Sequence, residues 1–224
     1  MEVIRAENIT YVYKTKFQET QALKNVSCVF ETEKMHAIIG KSGSGKSTFL
    51  SLLAGLDLPS DGTLYIEGKN IRQLNRDEYR RKRVSVIYQA FQLFPLLTAL
   101  ENVMFPMQLI GVKEKEAREK AKALLLKVDL PETVRKKFPG MLSGGEQQRV
   151  AIARAMASGA RILLADEPTG NLDTQNEINV VSLLKKLAHE EGYAVIIVTH
   201  NEKIAEESDV ILEMQDGVLA EVKK

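Results

Sequence analysis

Short apolar runs without polar alternation recur along the chain and predict strands buried on both faces of a parallel sheet. Segments with apolar residues every three or four positions lie between them and predict helices, so the pattern favours a three-layer α/β domain. The predicted strands are HAIIG (36–40), VSVIY (84–88), ILLAD (162–166), AVIIVT (194–199) and DVILEM (209–214). The predicted helices include 47–56, 115–128 and 174–188, the last with an apolar stripe of Ile178, Val181, Leu184 and Leu187.

The start of the chain has a different pattern. Residues 2–13, 25–33 and 62–68 alternate between apolar and polar positions and are separated by turns, which is typical of an antiparallel sheet. From Gln89 to Met156 helical patterns replace strand patterns. We therefore expect a single domain over residues 1–224. Its α/β core and antiparallel β subdomain would occupy residues 1–88 and 157–224, with a helical subdomain inserted at 89–156.

One stretch in this helical part is long and apolar enough to raise the question of a membrane span. Residues 93–112 are mostly apolar and about as long as a bilayer helix. However, the stretch contains Pro95 and Pro106 and has Glu101 near its centre, where a carboxylate in lipid is costly. Two interpretations stay open: an exposed apolar surface that contacts a partner, and internal packing.

Composition and charge narrow the possible functions. The 31 Lys and Arg residues balance 30 Asp and Glu residues, leaving a net charge of +1, which argues against a nucleic-acid partner. A single cysteine, Cys28, excludes a disulfide framework and a cysteine-based zinc cage. The first ten residues are interrupted by charges and do not resemble a signal peptide, so we expect an intracellular protein.

The segment GKSGSGKS (40–47) matches the phosphate-loop pattern G-x-x-x-x-G-K-[ST] between a predicted strand and a predicted helix. Gly43 and Gly45 allow successive backbone N–H groups to turn inward, and the helix start adds its positive dipole end. Lys46 is expected to neutralise the β- and γ-phosphates, and the Ser47 hydroxyl to ligate Mg²⁺. This segment predicts a nucleoside triphosphate site.

Two carboxylates follow another predicted strand in RILLADEP (161–168). They would lie at the carboxyl edge of the sheet, where open α/β sheets bind ligands. Asp166 suits the Mg²⁺ shell, and Glu167 is placed to polarise an attacking water. The strand end therefore supplies candidate hydrolytic chemistry beside the phosphate loop.

A third segment, MLSGGEQQRVAIARAM (141–156), begins an amphipathic helix. Ser143 and Glu146 have the spacing of a capping box. Capping alone does not explain the adjacent Gly144 and Gly145 in the first turn, which would expose backbone N–H groups as an anion site. A well-capped helix without a ligand and a second phosphate-binding helix end both remain possible from these residues.

Together these segments resemble the nucleotide-binding subunit of an ABC transporter. GKSGSGKS is similar to the Walker A loop, LSGGE (142–146) to the family signature and ILLADE (162–167) to Walker B, in the family's order and spacing. ADEPTGNLD and LLTALENV (96–103) are similar to the branch of lipoprotein-releasing, macrolide-export and bacitracin-type peptide-resistance ATPases. The fold implied is a P-loop NTPase of the ABC type, with an N-terminal antiparallel β subdomain and an inserted helical subdomain.

The resemblance implies ATP and Mg²⁺ as ligands and assigns roles to individual residues. The implied catalytic residues are Lys46, Glu167, His200 at the switch position and Gln89 of the Q-loop. The implied metal ligands are Ser47, Gln89 and Asp166. The implied nucleotide-binding residues are Tyr13, Gly40, Ser42, Gly43, Ser44, Gly45, Lys46, Ser47, Thr48, Ser143, Gly144, Gly145 and Asp173 of the D-loop.

Three features of the sequence qualify the resemblance. Tyr11 lies two residues before Tyr13 and is an alternative adenine-stacking aromatic. Tyr88 and Ala90 flank Gln89 where Phe and Gln are commoner in the family. Asn201 follows His200 where Asp is usual. The last two departures remove no catalytic group.

The resemblance also implies partners. Two copies would form a head-to-tail homodimer on binding ATP, with Ser143, Gly144 and Gly145 of one copy against the γ-phosphate held by the other. A separate membrane permease would dock near residues 91–106, from Phe91 to Pro106, and hold the protein at the cytoplasmic face of the cell membrane. The function implied is an ATPase that powers export or extraction of an antimicrobial peptide, a macrolide or a lipoprotein.

Other classes of ATPase are less consistent with the sequence. A DNA-repair or chromosome-structure ATPase needs a long coiled-coil insertion, and a translation-type ABC protein has two tandem cassettes. The chain shows neither feature. A non-transporting ABC ATPase that regulates cell-wall remodelling or signalling through a membrane partner is the remaining alternative.

Overall fold

In a computed structural model, which describes residues 1–222, the chain forms two sheets with helices packed around them. The strands are β1 (Glu2–Lys14), β2 (Glu19–Glu31), β3 (Lys34–Ile39), β4 (Asp61–Ile66), β5 (Lys69–Asn70), β6 (Val84–Tyr88), β7 (Ile162–Asp166), β8 (Ala194–Thr199), β9 (Val210–Gln215) and β10 (Val218–Val222). The helices are α1 (Lys46–Leu53), α2 (Arg76–Lys82), α3 (Ala99–Leu109), α4 (Glu114–Lys127), α5 (Gly144–Ala157), α6 (Thr174–His189) and α7 (Glu202–Glu206). Short 3₁₀ turns cover Ile71–Gln73, Glu132–Lys136 and Pro139–Met141.

The larger sheet contains every strand predicted from the apolar runs. Its order is β10-β9-β3-β8-β7-β6, and β9, β3, β8, β7 and β6 run parallel. All six residues of β8 are buried, as expected for a central strand covered on both faces. This arrangement brings the carboxyl ends of β3, β7 and β8 to one edge. The antiparallel edge strand β10 was not predicted.

The smaller sheet confirms the antiparallel prediction for the start of the chain. Its order is β2-β1-β4-β5, and Ala6 of β1 lies opposite Cys28 of β2 and Leu64 of β4. β2 begins at Glu19, six residues before the predicted start at residue 25. Its inner residues share one core with α1 and the larger sheet, including Phe30, Phe49 and Ile38. The two sheets therefore hold α1 between them.

The helices α3, α4 and α5 lie in the part of the chain predicted to be helical, and they pack against one another. Their core contains Val103, Met107, Ala121 and Val150. The buried side chain of Asn102 donates to the carbonyl oxygens of Phe94, Leu97 and Thr98 and so fixes the entry to α3. Of residues 1–222, no helix has the length and apolar character needed to cross a membrane.

The apolar stretch at 93–112 supports both of its interpretations in part. Val103, Met104 and Met107 face the helical core, whereas Leu96 is 87% exposed and Phe94 and Leu109 are also exposed. Internal packing therefore explains the inner face of α3. It does not explain the residues that precede the helix.

One part of the predicted apolar stripe on α6 was wrong. Val181, Leu184 and Leu187 are buried, but Ile178 is 54% exposed. Residues spaced by three drift about 60° around an α-helix at each step, so Ile178 and Leu187 lie on opposite faces. The buried face instead includes Val180 and Ala188.

Candidate active site

The predicted phosphate loop connects β3 to α1. Gly45 immediately precedes α1 with φ 111°, a left-handed conformation that glycine adopts without strain. No side chain caps this helix start. The first N–H groups of α1 are thus available to a ligand, and the positive end of the helix dipole favours an anion.

The loop is held closely by two neighbouring segments. A Cβ atom on Gly40 would lie 2.2 Å from the carbonyl oxygen of Met214 in β9, and one on Gly45 would lie 2.7 Å from that of Ala22 in β2. The Gly217 N–H, in the turn between β9 and β10, donates to the Ser44 carbonyl at 2.9 Å. The loop therefore has little room to move.

Lys46 lies at the base of this loop and is only 7% exposed. Its Nζ donates to the carbonyl oxygens of Gly40 at 2.7 Å and Lys41 at 2.8 Å. Burial lowers the pKa of the Lys46 ammonium, and the nearby carboxylates of Glu167 and Asp166 partly oppose this shift. The side chain is thus held in place within reach of the loop.

The predicted carboxylates Asp166 and Glu167 end β7 at the same edge of the sheet. Burial raises the pKa of Asp166, the neighbouring charge of Glu167 raises it further, and Lys46 opposes the shift. Two adjacent carboxylates in a partly desolvated position favour a bound cation. Ser47 and Gln89 line the same cleft as Asp166, and hydroxyl, amide and carboxylate oxygens are the ligands that Mg²⁺ prefers. The donor set therefore fits Mg²⁺.

Glu167 contacts the last residue of β8, Thr199, and the residue that follows it, His200. Its Oε1 lies 2.8 Å from Nδ1 of His200, and its Oε2 accepts from the Thr199 hydroxyl at 3.4 Å. Its backbone N–H donates to the Val198 carbonyl at 2.9 Å. The φ of Glu167 is 47°, a strained conformation for this residue type that its surroundings hold in place. This strain is typical of functional positions.

A cleft of about 990 Å³ unites these groups. Tyr13 lines it, is 48% exposed and places its hydroxyl 3.0 Å from that of Thr48. The Tyr11 hydroxyl instead bonds to Asp57, outside the cleft lining. Of the two tyrosines, Tyr13 is thus the one with an exposed ring at the site. The other predicted residues that line the cleft are Ser42, Gly43, Gly45, Lys46, Ser47, Thr48, Gln89, Asp166, Glu167 and His200.

Several residues of the cleft were not predicted from the sequence. Ala22 and Lys24 of β2 line it, together with Asp216 and Gly217 of the turn between β9 and β10. The Lys24 N–H donates to the Gly217 carbonyl at 2.8 Å, which joins the two segments. The Asp-Gly pair is a typical hairpin turn and could have indicated β10. No pattern in the sequence places Lys24 beside the phosphate loop.

The predicted signature residues lie outside this cleft within the chain. Ser143 and Glu146 form the expected capping box: the Glu146 N–H donates to Ser143 Oγ at 3.2 Å, and the Ser143 N–H donates to Glu146 Oε2 at 2.8 Å. A Cβ atom on Gly145 would lie 2.1 Å from Oδ1 of Asn176, so close packing against α6 also requires this glycine. A Cβ atom on Gly144 would meet only ordinary contacts, the nearest with Leu172 at 3.4 Å.

Asp173 also lies outside the cleft, as the residue that caps α6. Its carboxylate accepts from the backbone N–H of Asn176 at 2.9 Å and from Nδ2 of the same residue at 2.7 Å. These hydrogen bonds lower the pKa of Asp173. The preceding Asn171 donates to the Gln89 carbonyl at 3.1 Å. This loop thus connects the cleft to the segment beside Gly145.

A family model described as ABC transporter matches residues 23–170, which contain the phosphate loop, the signature turn and the carboxylates at the end of β7. The chain belongs to the ABC transporter family. It is an ABC-type ATPase with an ATP-binding cassette fold, and its antiparallel β subdomain and helical region are those of the cassette.

Similar proteins and structures support this placement of the cassette. It is 42% identical over 227 residues to the lipoprotein-releasing system ATP-binding protein LolD of Aquifex aeolicus, covering 100% of this chain and 99% of LolD. It is 42% identical over 218 residues to the macrolide export ATP-binding/permease protein MacB of Hyphomonas neptunium, covering 96% of this chain but 34% of MacB. The solved dimer of the ATP-binding cassette MJ0796 of Methanocaldococcus jannaschii, in a post-hydrolysis state bound to ADP and Pi, matches with a TM-score of 0.88 at 38% identity, covering 99% of both chains.

Proposed function

We propose that the cassette hydrolyses ATP with Mg²⁺ and uses the energy to drive export or extraction of a substrate through a separate membrane permease. One observation carries this proposal: Lys46, Asp166, Glu167 and His200 converge from three strand ends on a single cleft, with Tyr13 at its exposed side. Relatives named for lipoprotein release and macrolide export favour substrates of that kind.

The nucleotide would lie along the cleft. The Tyr13 ring would stack on adenine, and the loop from Gly40 to Thr48, including Ser42, Gly43 and Ser44, would surround the phosphates with backbone N–H groups. Lys46 would neutralise the β- and γ-phosphates. Ser47, Asp166 and Gln89 would hold Mg²⁺, which when bound would neutralise charge on the phosphates.

Glu167 would act as the general base. It would take a proton from the water whose oxygen attacks the γ-phosphorus, as the bond from that phosphorus to the β–γ bridging oxygen breaks and ADP leaves. His200, 2.8 Å from the carboxylate, would hold Glu167 in position and contact the γ-phosphate. Because phosphoryl transfer depends mostly on positioning and electrostatics, the rigid contacts around Glu167 support this role.

The signature turn would act on a second copy of the chain. Ser143, Gly144, Gly145 and Asp173 lie outside the chain's own cleft, yet the turn at which α5 begins suits an anion. In a head-to-tail homodimer they would complete the partner's site. We also propose that residues 1–224 act as one domain, with its core in 1–88 and 157–224 and its helical part in 89–156.

The permease would dock on a groove of about 410 Å³ beside residues 91–106. Its lining includes the apolar residues Phe94, Phe105 and Pro106 and also Arg80 and Arg81. An amphipathic helix from the cytoplasmic side of the permease fits such a groove. This contact would hold the cassette at the cytoplasmic face of the membrane.

Glu167→Gln tests the hydrolytic proposal. The amide cannot accept the proton, so phosphate release is expected to fall at least about 100-fold, while ATP with Mg²⁺ shifts the variant to a dimer. Phosphate release and sedimentation analysis measure the two effects. Glu190→Gln, a carboxylate at the far end of α6, is the matched control and is expected to behave as the wild type. Normal hydrolysis by Glu167→Gln, or a strictly monomeric variant with ATP, would contradict the proposal.

Leu96→Glu tests the docking surface. Leu96 is exposed two residues after Phe94, which lines the groove, so the charge is expected to abolish co-purification with the permease while nucleotide affinity is unchanged. Leu126→Glu, at another exposed apolar residue, on α4, is the control. Equal retention of the permease by both variants would place the contact elsewhere.

A further inference from the structure

The side chain of Asn201 makes a contact that links the switch position to α6. Its Nδ2 donates to Oε1 of Glu177, in the first turn of α6, at 3.0 Å. Its Oδ1 accepts from the Lys203 N–H at 3.0 Å and so caps α7. Both polar atoms of the amide therefore have a partner. Glu177 requires the donor nitrogen, and the Lys203 N–H requires the acceptor oxygen.

The backbone of Asn201 belongs to the turn that holds Glu167. The Asn201 N–H donates to the Thr199 hydroxyl at 3.0 Å, and this hydroxyl donates to Glu167 at 3.4 Å. His200, between these two residues, makes the 2.8 Å contact with the same carboxylate. A displacement of Asn201 would therefore move both groups that touch Glu167.

We propose that Glu177 is a positioning residue for His200, acting through the side-chain amide of Asn201. This inference rests on the proposed function of His200 and Glu167. The pair is specific in its polarity: Glu177 provides only acceptor oxygens, and Asn201 provides the donor. An aspartate at position 201 would still cap α7 but would place two carboxylates about 3 Å apart, where they repel.

The contact between Glu177 and Asn201 matters because Glu177 lies in a turn of α6 that also packs against the signature helix. The Glu177 N–H donates to the Asp173 carbonyl at 2.9 Å, and the preceding residue, Asn176, packs against Gly145. The first turn of α6 thus contacts Asn201, next to the switch residue His200, on one side and the signature helix α5 on the other. Through Asn201, Glu177 keeps His200 at a fixed position relative to this turn of α6.

A polarity swap tests the inference in the full chain. Asn201→Asp keeps the cap of α7 and removes only the donor to Glu177. We expect its kcat to fall about tenfold while the KM for ATP changes less than about twofold. Adding Glu177→Gln supplies a new donor from the other side and is expected to restore kcat to within about threefold of the wild type. Glu177→Gln alone keeps an acceptor and is expected to lose less than about threefold.

Phosphate release as a function of ATP concentration measures both constants. Asn179→Asp, the same substitution at an exposed position of α6, is the matched control, and its constants are expected to equal those of the wild type. The inference is overturned if Asn201→Asp retains normal kcat, or if the double variant is no more active than Asn201→Asp. Either result leaves the wild-type turnover and its loss in Glu167→Gln intact, so it is distinguishable from failure of the proposed hydrolysis.

Discussion

The starts of α1 and α5 have opposite designs although both suit an anion. α1 begins at a left-handed glycine with no side-chain cap, and its first N–H groups point toward a cleft formed by the same chain. α5 begins with a complete capping box between Ser143 and Glu146 and lies outside that cleft. A ligand must supply the missing partners at the first helix start, whereas the second is stable without one.

This difference bears on the order of events in the proposed cycle. The loop before α1 is held by β2 and by the turn between β9 and β10, so in the proposed cycle this site would bind nucleotide in a single copy. The turn before α5 is preformed by its capping box, so in the proposed cycle it would need only the γ-phosphate brought by a partner copy. Nucleotide binding by one copy would therefore precede dimer formation. Four experiments test this comparison.

The largest effect is expected at the start of α1. Lys46→Ala removes the cation at the base of the loop, and nucleotide affinity should fall about 1000-fold, or ~4 kcal/mol, for the loss of charge-assisted contacts to phosphate. Titration with a fluorescent nucleotide measures it. Lys115→Ala, an exposed lysine on α4, serves as the control. A loss of less than tenfold would show that α1 binds phosphate without this cation.

Acid pH should destabilise the fold through His36, which lies in β3, the strand that leads into α1. Burial, followed by the nearby charge of Lys34, lowers the pKa of His36 in β3 to about 4. Because this value lies below the unfolded value of about 6.5, stability is full above pH 6.5 and is lost as pH falls toward 4, by about 3 kcal/mol. Urea unfolding at several pH values measures the loss. His36→Phe, which cannot titrate, should flatten this part of the profile, and an unchanged profile would assign the loss to other groups.

The signature glycines should differ from each other. Gly145→Ala is expected to destabilise the fold by about 2 kcal/mol, because the new methyl meets the Asn176 side chain, whereas Gly144→Ala should cost much less. Asn176→Ala removes the two nearest atoms and leaves Cβ at 3.1 Å. Gly145→Ala should therefore cost less when added to Asn176→Ala than when added to the wild type. Additive unfolding free energies would show that the contact is not responsible.

The smallest effect is expected from the cap of α5. Ser143→Ala removes the hydroxyl that accepts from Glu146 and should lower the free energy of unfolding by about 1 kcal/mol. Nucleotide affinity of the single copy should not change, because the residue lies outside the cleft. Ser143→Thr retains an acceptor and is expected to keep most of the stability. A fall in single-copy affinity would contradict the separation of the two helix starts.

Much of the site could be predicted because its residues are contiguous in sequence. The phosphate loop, the carboxylates after β7 and the capping box each lie within a few residues and carry their own structural context. The parallel strands of the larger sheet were predicted for a similar reason: double-sided burial leaves uninterrupted apolar runs such as β8.

The remaining features depend on contacts between distant segments. Lys24 lines the cleft only because β2 reaches the turn at Gly217, and the closeness of Gly145 to Asn176 follows from the packing of α5 on α6. β10 was missed because its residues are exposed or half-buried and give no apolar run. The choice between Tyr11 and Tyr13 likewise required the position of Asp57, which bonds to Tyr11.

The contact between Met214 and Gly40 has a consequence for biosynthesis. The loop between β3 and α1 is translated more than 150 residues before the segments that hold it, β9 and the turn at Gly217. When only the segments up to β7 have left the ribosome, the nascent chain still lacks the residues of β9 and the following turn that hold its phosphate loop. We therefore expect ATP to bind only after β9 and the turn at Gly217 have been translated and have packed against the loop.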